Sequence, residues 1–525
     1  MRRGWLAGVV LSAACASNPV RPADQVQLGH AATLVREGCY DCLLEARDIY
    51  ARVGVGRAAP LVAPRLLEAE LLLALREREL ALDSTATEAR ARALAPVLAP
   101  SLDVARLLAL VDVVPREENG TPRRTRVAWM RSPAQAVLRN IAEELAWLQT
   151  SALGEPARGY LALTLYCGQR RGTRPPYPNV PPLADLQVVG PDAPPLMVYR
   201  AATCGGLTIP FLNGLRADAP RFVETAYFLG RASVGMIQQR GNVAETRELV
   251  TAAYGRFPAS PAVTMLAGRF NQLVGDCAAG LRFYDETLAL EPIHEDALLG
   301  RTVCLTFLGR RPEAIATATR MIELKTDNVE EAFYWRAWNR WSDKALDDAR
   351  RDIEAAKAIK SSGEIHTLAG QVEHDQDDLA PAEADLRTAR SLSNGQQNCT
   401  AAWYLGLVLM KKERWLETAE AFDEARTCYE LRVAQSEAGL TRIRANDDLD
   451  PEFRDRQIAG FEAAIVEDRS QYHAAAFNAA NHFARAGEIE KARSRLEIAA
   501  ADPALADLVR QLREVIKVRA PGRIS

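Results

Sequence analysis

The chain has 525 residues, with 65 basic side chains against 68 acidic ones and only 6% aromatics. That length is too great for one compact core, so several domains or an extended repeat array is expected. The balanced charge leaves no electrostatic footprint for nucleic acid and no polybasic membrane patch, while the predominance of Ala, Leu, Arg and Glu favours helices.

Arg2 and Arg3 give a basic start, and Trp5 to Ala14 is a short apolar run ending in small residues. Such a run is too short to span a bilayer and reads as an export signal occupying residues 1–14. It closes on Leu11-Ser12-Ala13-Ala14-Cys15, which resembles a bacterial lipoprotein signal. The resemblance implies that Cys15 becomes lipidated after cleavage. Because Ala16 follows it rather than aspartate, it also implies an outer-membrane anchor facing the periplasm. The alternative is a short apolar start with a chance cysteine. No later segment approaches the length of a transmembrane helix.

Export would make the eight remaining cysteines candidates for disulfides. Cys39 and Cys42 have metal or redox spacing, but no second pair and no suitably placed histidine completes a zinc site. Residues 15–167 read as a helical region of degenerate helix hairpins. Gln25 to Arg52 forms one such pair, with Gly38-Cys39-Tyr40 at its turn. Arg65 to Leu82, Thr87 to Ala99, Leu102 to Val114, Pro133 to Leu153 and Ala157 to Cys167 carry helical periodicity without a common register. Residues 168–219 read as a Pro/Gly-rich hinge or loop, because Pro175-Pro176-Tyr177-Pro178, Pro181-Pro182 and Pro194-Pro195 cannot sit inside helices. Cys167 and Cys204 bracket the proline runs and are a candidate disulfide.

The strongest signal is a repeat. Seven segments place small, small, bulky and small residues at spacings of twelve, four and three. Their starts are Val234, Gly268, Thr302, Ala337, Gly370, Gly406 and Ala480, and the first six lie 34, 34, 35, 33 and 36 residues apart. Of the 21 small slots, 19 hold Gly, Ala or Thr, more than an Ala-rich composition supplies by chance. Two antiparallel helices of about fourteen residues with short turns consume about 34 residues. Gly241, Gly275, Gly309 and Gly487 fall seven residues after the first slot, where a left-handed helix cap is expected. Pro258 and Pro292 stop the second helix.

This pattern resembles the tetratricopeptide family. The resemblance implies an all-α fold, a helix-turn-helix solenoid wound as a right-handed superhelix. Six repeats cover 220–427 and another covers 473–503. The intervening 428–472 read as one divergent helix pair, Glu430 to Arg444 and Glu452 to Val466, and 504–525 as a capping helix and tail. The register also brings Cys399 near Cys428 and Cys277 near Cys304. These are candidate disulfides, the alternative being ordinary buried small side chains.

No catalytic motif is present: no phosphate-binding glycine loop, no His-Glu-x-x-His and no nucleophile elbow. Six histidines are scattered, and the nearest approach to a metal site, His366 and His374 with Glu373 and Asp375, reads as solvated surface. No cofactor is expected. In tetratricopeptide arrays the first helix of each pair lines the concave groove. In the repeat centred on Ala337 that helix carries Tyr334, Trp338 and Trp341 on one stripe, flanked by Arg336 and Arg340, with Trp403 two repeats later. The alternative is that the tryptophans pack between neighbouring helices. The expected function is a non-catalytic scaffold that binds a protein or peptide partner at the bacterial cell envelope, touching membrane only through its lipid. The alternatives are a lipoprotein subunit of an outer-membrane assembly or secretion machine, or an enzyme with an unrecognised site among residues 60–220.

Overall fold

The computed structural model describes residues 20–114, 137, 140–170, 195–196, 199, 209–240, 243–392, 398–447, 449 and 451–519. Cys15, Cys204 and the side chain of Cys167 lie outside the described residues. Among these residues the secondary structure is helical, with no strand. They form two compact units, one ending at Leu229 and the other starting at Gly230.

The N-terminal unit opens with α1 (Pro22–Glu37) and α2 (Tyr40–Val53). Gly38 joins them at φ 70°, a left-handed cap that an L side chain adopts only at a cost. Cys39 and Cys42 are disulfide-bonded across the first turn of α2, and both are buried. Their spacing therefore serves a local staple, and neither thiol remains as a metal ligand. Helix α3 (Ala59–Glu79) is enclosed: Leu67, Leu71, Leu72, Leu73 and Leu75 are all fully buried. Helices α4 (Thr85–Ala93) and α5 (Val104–Val111) pack against it; α6 (Ile141–Thr150) follows and packs on α7 (Ala157–Arg170), which itself reaches α3, and α8 (Ile209–Asp218) comes last. The segment expected to be a hinge is thus corrected at its end. Helix α8 lies inside it, and Leu196 and Tyr199 are buried core residues. The unit boundary also lies beyond it, within α9 (Thr225–Arg240).

The C-terminal unit is a stack of helix pairs. Helix α9 pairs with α10 (Val243–Arg256), followed by α11 (Pro261–Leu273) with α12 (Cys277–Leu290) and α13 (Glu295–Phe307) with α14 (Arg311–Leu324). Next come α15 (Val329–Ser342) with α16 (Leu346–Ile359) and α17 (Gly363–Asp375) with α18 (Leu379–Leu392). Helix α19 (Cys399–Lys411) then leads into α20 (Trp415–Arg444), α21 (Pro451–Ala486), α22 (Ile489–Ala499) and α23 (Ala506–Arg519).

The sequence register has a direct steric cause. A Cβ on Gly268 would stand 2.7 Å from the ring of Tyr284, and one on Gly406 would stand 2.9 Å from that of Phe422. A Cβ on Gly370 would overlap Leu386 in the same way. The small first slot is the space that the bulky third slot of the same repeat fills. Complementary volumes of this kind produce dense packing between the paired helices. The fold is therefore a tetratricopeptide-type solenoid.

Every described turn between paired helices in this register contains one left-handed residue. Glycine fills it at Gly275, Gly309 and Gly487, whereas Lys344, Asp377 and Glu413 adopt it with φ of 62°, 62° and 58°. A side chain in this conformation costs roughly 1–2 kcal/mol, and glycine returns part of that through its larger unfolded-state entropy. Glu413→Gly should therefore raise stability by about 0.5–1 kcal/mol. A urea midpoint at or below that of the parent chain would contradict this.

Residues 428–472 are not a separate helix pair. Helix α20 runs unbroken for 30 residues and α21 for 36, so the second helix of the sixth repeat and the first of the seventh are both extended. Their distal halves form a two-helix spur. Phe461 packs against Gly439, Phe453 and Ile465 are buried, and the ion pairs Arg432–Asp468 (3.0 Å) and Arg469–Glu437 (2.6 Å) link the helices. The chain from 415 to 444 contains no proline, and its one glycine, Gly439, lies well beyond the repeat boundary, so the first helix does not stop there. At the spur's base Cys399 and Cys428 are disulfide-bonded, with Cα atoms 5.3 Å apart. Helix α23 then lays Val509, Leu512 and Ile516 onto the seventh repeat beside Phe483 and Leu496.

Candidate partner-binding face

Helix α15 is specified locally by Glu330 and Glu331 in its first turn and Arg340 in its last, which complement the helix dipole. Ala332 and Ala337 are fully buried, and Phe333, Tyr334, Trp338 and Trp341, each partly buried, pack between neighbouring helices against a core that includes Ile353, Ile365, Leu368 and Val372. Tyr334, Trp338 and Trp341 form the expected stripe and remain partly exposed. Ring centroids lie 6.4 Å apart for Tyr334–Trp338 and 5.5 Å for Trp338–Trp341, the second pair edge to face. The indole of Trp341 donates to Asp375 on α17 at 3.0 Å, which fixes its orientation across the repeat boundary. Burial pushes the Tyr334 hydroxyl up to about 12, so it stays neutral.

Two residues join the cluster that the stripe alone did not indicate. Trp335 lies edge-on to Tyr334 at 5.3 Å and to Phe307 of α13 at 6.2 Å. Phe307 is 72% exposed, unusual for a phenylalanine. The signal for it was available, because Phe307 ends the first helix of the preceding repeat. A stripe drawn at spacings of four and three within one helix excludes both.

The arginines are reassigned. Arg336 makes a two-pronged contact to Asp352 of α16 at 2.9 and 2.6 Å, and Arg340 reaches the same carboxylate at 2.7 Å. Asp352 is 3% exposed, and a buried carboxylate needs such partners. Both arginines therefore tie α15 to α16, and Arg336 also donates to Thr319 of α14 at 3.0 Å and lies 5.6 Å from the centroid of the Phe333 ring. Trp403 also departs from the expectation. It packs against Phe422 with centroids 5.3 Å apart, among the buried residues that join the sixth and seventh repeats.

Other sequence candidates resolve as follows. Cys277 and Cys304 are both free thiols, Cys304 being buried. Burial, and then a hydrogen bond with Cys277, push the Cys304 thiol well above its usual range. His366 and Glu373 are buried and not solvated surface. His366 bonds through Nδ1 to Asp385 at 2.6 Å and through Nε2 to Ser361 at 2.8 Å. Burial and the charge of Asp385 push Glu373 up to about 8.

The N-terminal unit does contain converging polar groups, around Arg76. Its guanidinium contacts Glu79 at 2.9 Å and Glu224 more closely still, and it lies 3.6 Å above the ring of Tyr199. Tyr160 donates to Glu79 at 2.7 Å, and Glu224 also accepts the Tyr40 N–H at 2.8 Å. Arg76 and Glu224 have no exposed side-chain surface, so the cluster is closed to a substrate and acts as an internal clamp.

The class defined by these pairs, turns and volumes is a tetratricopeptide-type helical solenoid. The chain is similar to several solved structures. PilF of Pseudomonas aeruginosa is 14% identical over 40% of this chain and 94% of its own, with TM-score 0.35. A tetratricopeptide repeat protein from Parabacteroides merdae is 13% identical over 51% and 93%, with TM-score 0.35. The anaphase-promoting-complex assembly Cut9–Hcn1 is 10% identical over 90% of each chain, with TM-score 0.38. No family model and no curated protein matches the sequence. Among the described residues no helix is long and apolar enough to cross a membrane.

Proposed function

We propose that the chain is a non-catalytic scaffold that holds a protein or peptide segment against the aromatic surface of α13 and α15, at the bacterial cell envelope. The observation that carries this reading is the partly exposed cluster of Phe307, Tyr334, Trp335, Trp338 and Trp341. Large aromatic side chains offer much contact area at small entropic cost, and tryptophan and tyrosine dominate binding hot spots. The envelope setting rests on the signal-like start ending at Cys15, and the two disulfides support it because such bonds persist in oxidising compartments.

Proximity labelling from the full chain, compared with a Trp338→Ala, Trp341→Ala double variant, tests the surface. The double variant should keep its helical content and lose at least about tenfold in partner capture, as loss of hot-spot aromatics does. An unchanged partner set in a folded double variant contradicts the assignment. Incorporation of labelled fatty acid, abolished by Cys15→Ser, tests the anchor separately, and an unlipidated parent protein removes it.

A further inference from the structure

Three carboxylates from successive helices meet inside the fourth and fifth repeats. Glu354 comes from α16, Glu373 from α17 and Asp385 from α18. One oxygen of each lies within 4.8 Å of the other two. They differ in surroundings. Glu354 is exposed at the rim of an open depression of about 610 Å³, lined also by Asp347, Arg350, Arg351 and Gln376. Asp385 is buried and held by His366 and by Lys357 at 2.9 Å. Glu373 is only 2% exposed, and its Oε2 has no hydrogen-bond partner. The nearest cation to it is Arg350, 3.9 Å from its other oxygen.

A buried carboxylate oxygen that accepts no hydrogen bond is relieved either by a proton, as the raised pKa of Glu373 reflects, or by a cation. Lys357 compensates only in part. Its ammonium bonds to Glu354 at 3.0 Å and to Asp385, and no hydrogen bond from it reaches Glu373. The three acids outnumber the one ammonium among them, and all the donor atoms are hard oxygens. That donor set suits Ca²⁺, Mg²⁺ or Mn²⁺ and is poorly matched to soft-metal sites. His366 on Asp385 is the kind of outer partner that orients a ligating group.

We propose that Glu354, Glu373 and Asp385 form a divalent-cation site, entered from the depression beside Glu354, in which the metal takes the place of the Lys357 ammonium. The lysine swings into the depression as the cation enters, and water completes the coordination on the open side. The site bridges the second helices of two successive repeats through the first helix of the later one. Its occupancy therefore reinforces the stacking next to the aromatic surface.

Titration calorimetry of the full, chelator-treated chain with MnCl₂, CaCl₂ and MgCl₂ tests this. The parent chain should bind one equivalent of at least one of these ions. Lys357→Gln, which removes the competing ammonium, should bind it at least about tenfold more tightly. Glu373→Gln should lose binding while its circular dichroism stays that of the parent. If neither the parent nor folded Lys357→Gln binds any of the three ions, the carboxylates share only a proton and the proposal fails. It also fails if a cation binds with equal affinity to Glu373→Gln.

Discussion

Arg76→Ala should destabilise the N-terminal unit by about 3–5 kcal/mol, the cost of leaving a buried charge without its partner. Both Glu79 and Glu224 lose their cation when Arg76 is removed, and Glu224 has no exposed side-chain surface through which water could replace it. Burial alone would lower the guanidinium pKa, but Tyr199, Tyr160, Glu224 and Glu79 together hold it above its ordinary value. The loss is large beside the 5–15 kcal/mol that stabilises a typical domain. Lysine should rescue only part of it, since an ammonium cannot fork between two carboxylates and stack on Tyr199 as well. The decisive comparison is Arg76→Met with Glu79→Gln and Glu224→Gln. This triple variant removes every charge and should recover much of the loss. Hydrogen exchange resolved to α3 reads the effect where it occurs. Protection of α3 unchanged in Arg76→Ala would show that the clamp contributes nothing.

Acid should weaken the seventh repeat well before the exposed carboxylates protonate. His482 is 1% exposed, stacked between Trp415 at 5.7 Å and Phe422 at 6.0 Å, and its Nδ1 has no hydrogen-bond partner. Burial, assisted by the charge of Arg485, lowers its pKa from 6.5 to about 4. The unfolded chain therefore binds a proton that the folded chain refuses between these values. Stability on this account is complete above pH 6.5, falls as the pH drops toward 4 and levels off below it. The loss is about 3 kcal/mol. His482→Phe keeps the stacked ring and has nothing to protonate. The difference between parent and variant stability should thus widen from pH 7 to pH 4, and parallel pH profiles for the two proteins would exclude the mechanism.

The repeats were legible because their cause is local and periodic. A small residue at Gly268 or Gly406 admits Tyr284 or Phe422 sixteen positions later, so the register appears in the sequence wherever that contact recurs. Turns were legible only where glycine fills them. Lys344, Asp377 and Glu413 adopt the same backbone without announcing it. The N-terminal unit resisted reading for the opposite reason. Helix α3 is buried on every side from Ala69 to Glu77, with Glu70, Arg76 and Glu77 enclosed beside the leucines, so its helical periodicity does not mark which residues face the core. Its clamp joins Tyr40, Arg76, Glu79, Tyr160, Tyr199 and Glu224, residues too far apart in sequence for any motif to connect. At the aromatic surface the stripe on α15 was visible, but the roles of Arg336 and Arg340 depended on Asp352, a partner on the next helix.

A solenoid ordinarily unravels from its ends, one repeat at a time, because each repeat touches only its neighbours. The spur changes the arithmetic at this end. Helices of 30 and 36 residues run about 45 and 54 Å, and each belongs at once to a repeat and to the spur. Neither can melt within its own repeat without also surrendering its contacts in the spur. The Cys399–Cys428 link holds the point where the two structures diverge. Everything from α20 to α23 is thereby bound into one cooperative block, so fraying that starts at the final helix meets a single larger barrier, the seventh repeat and the spur together, in place of a staircase of small steps.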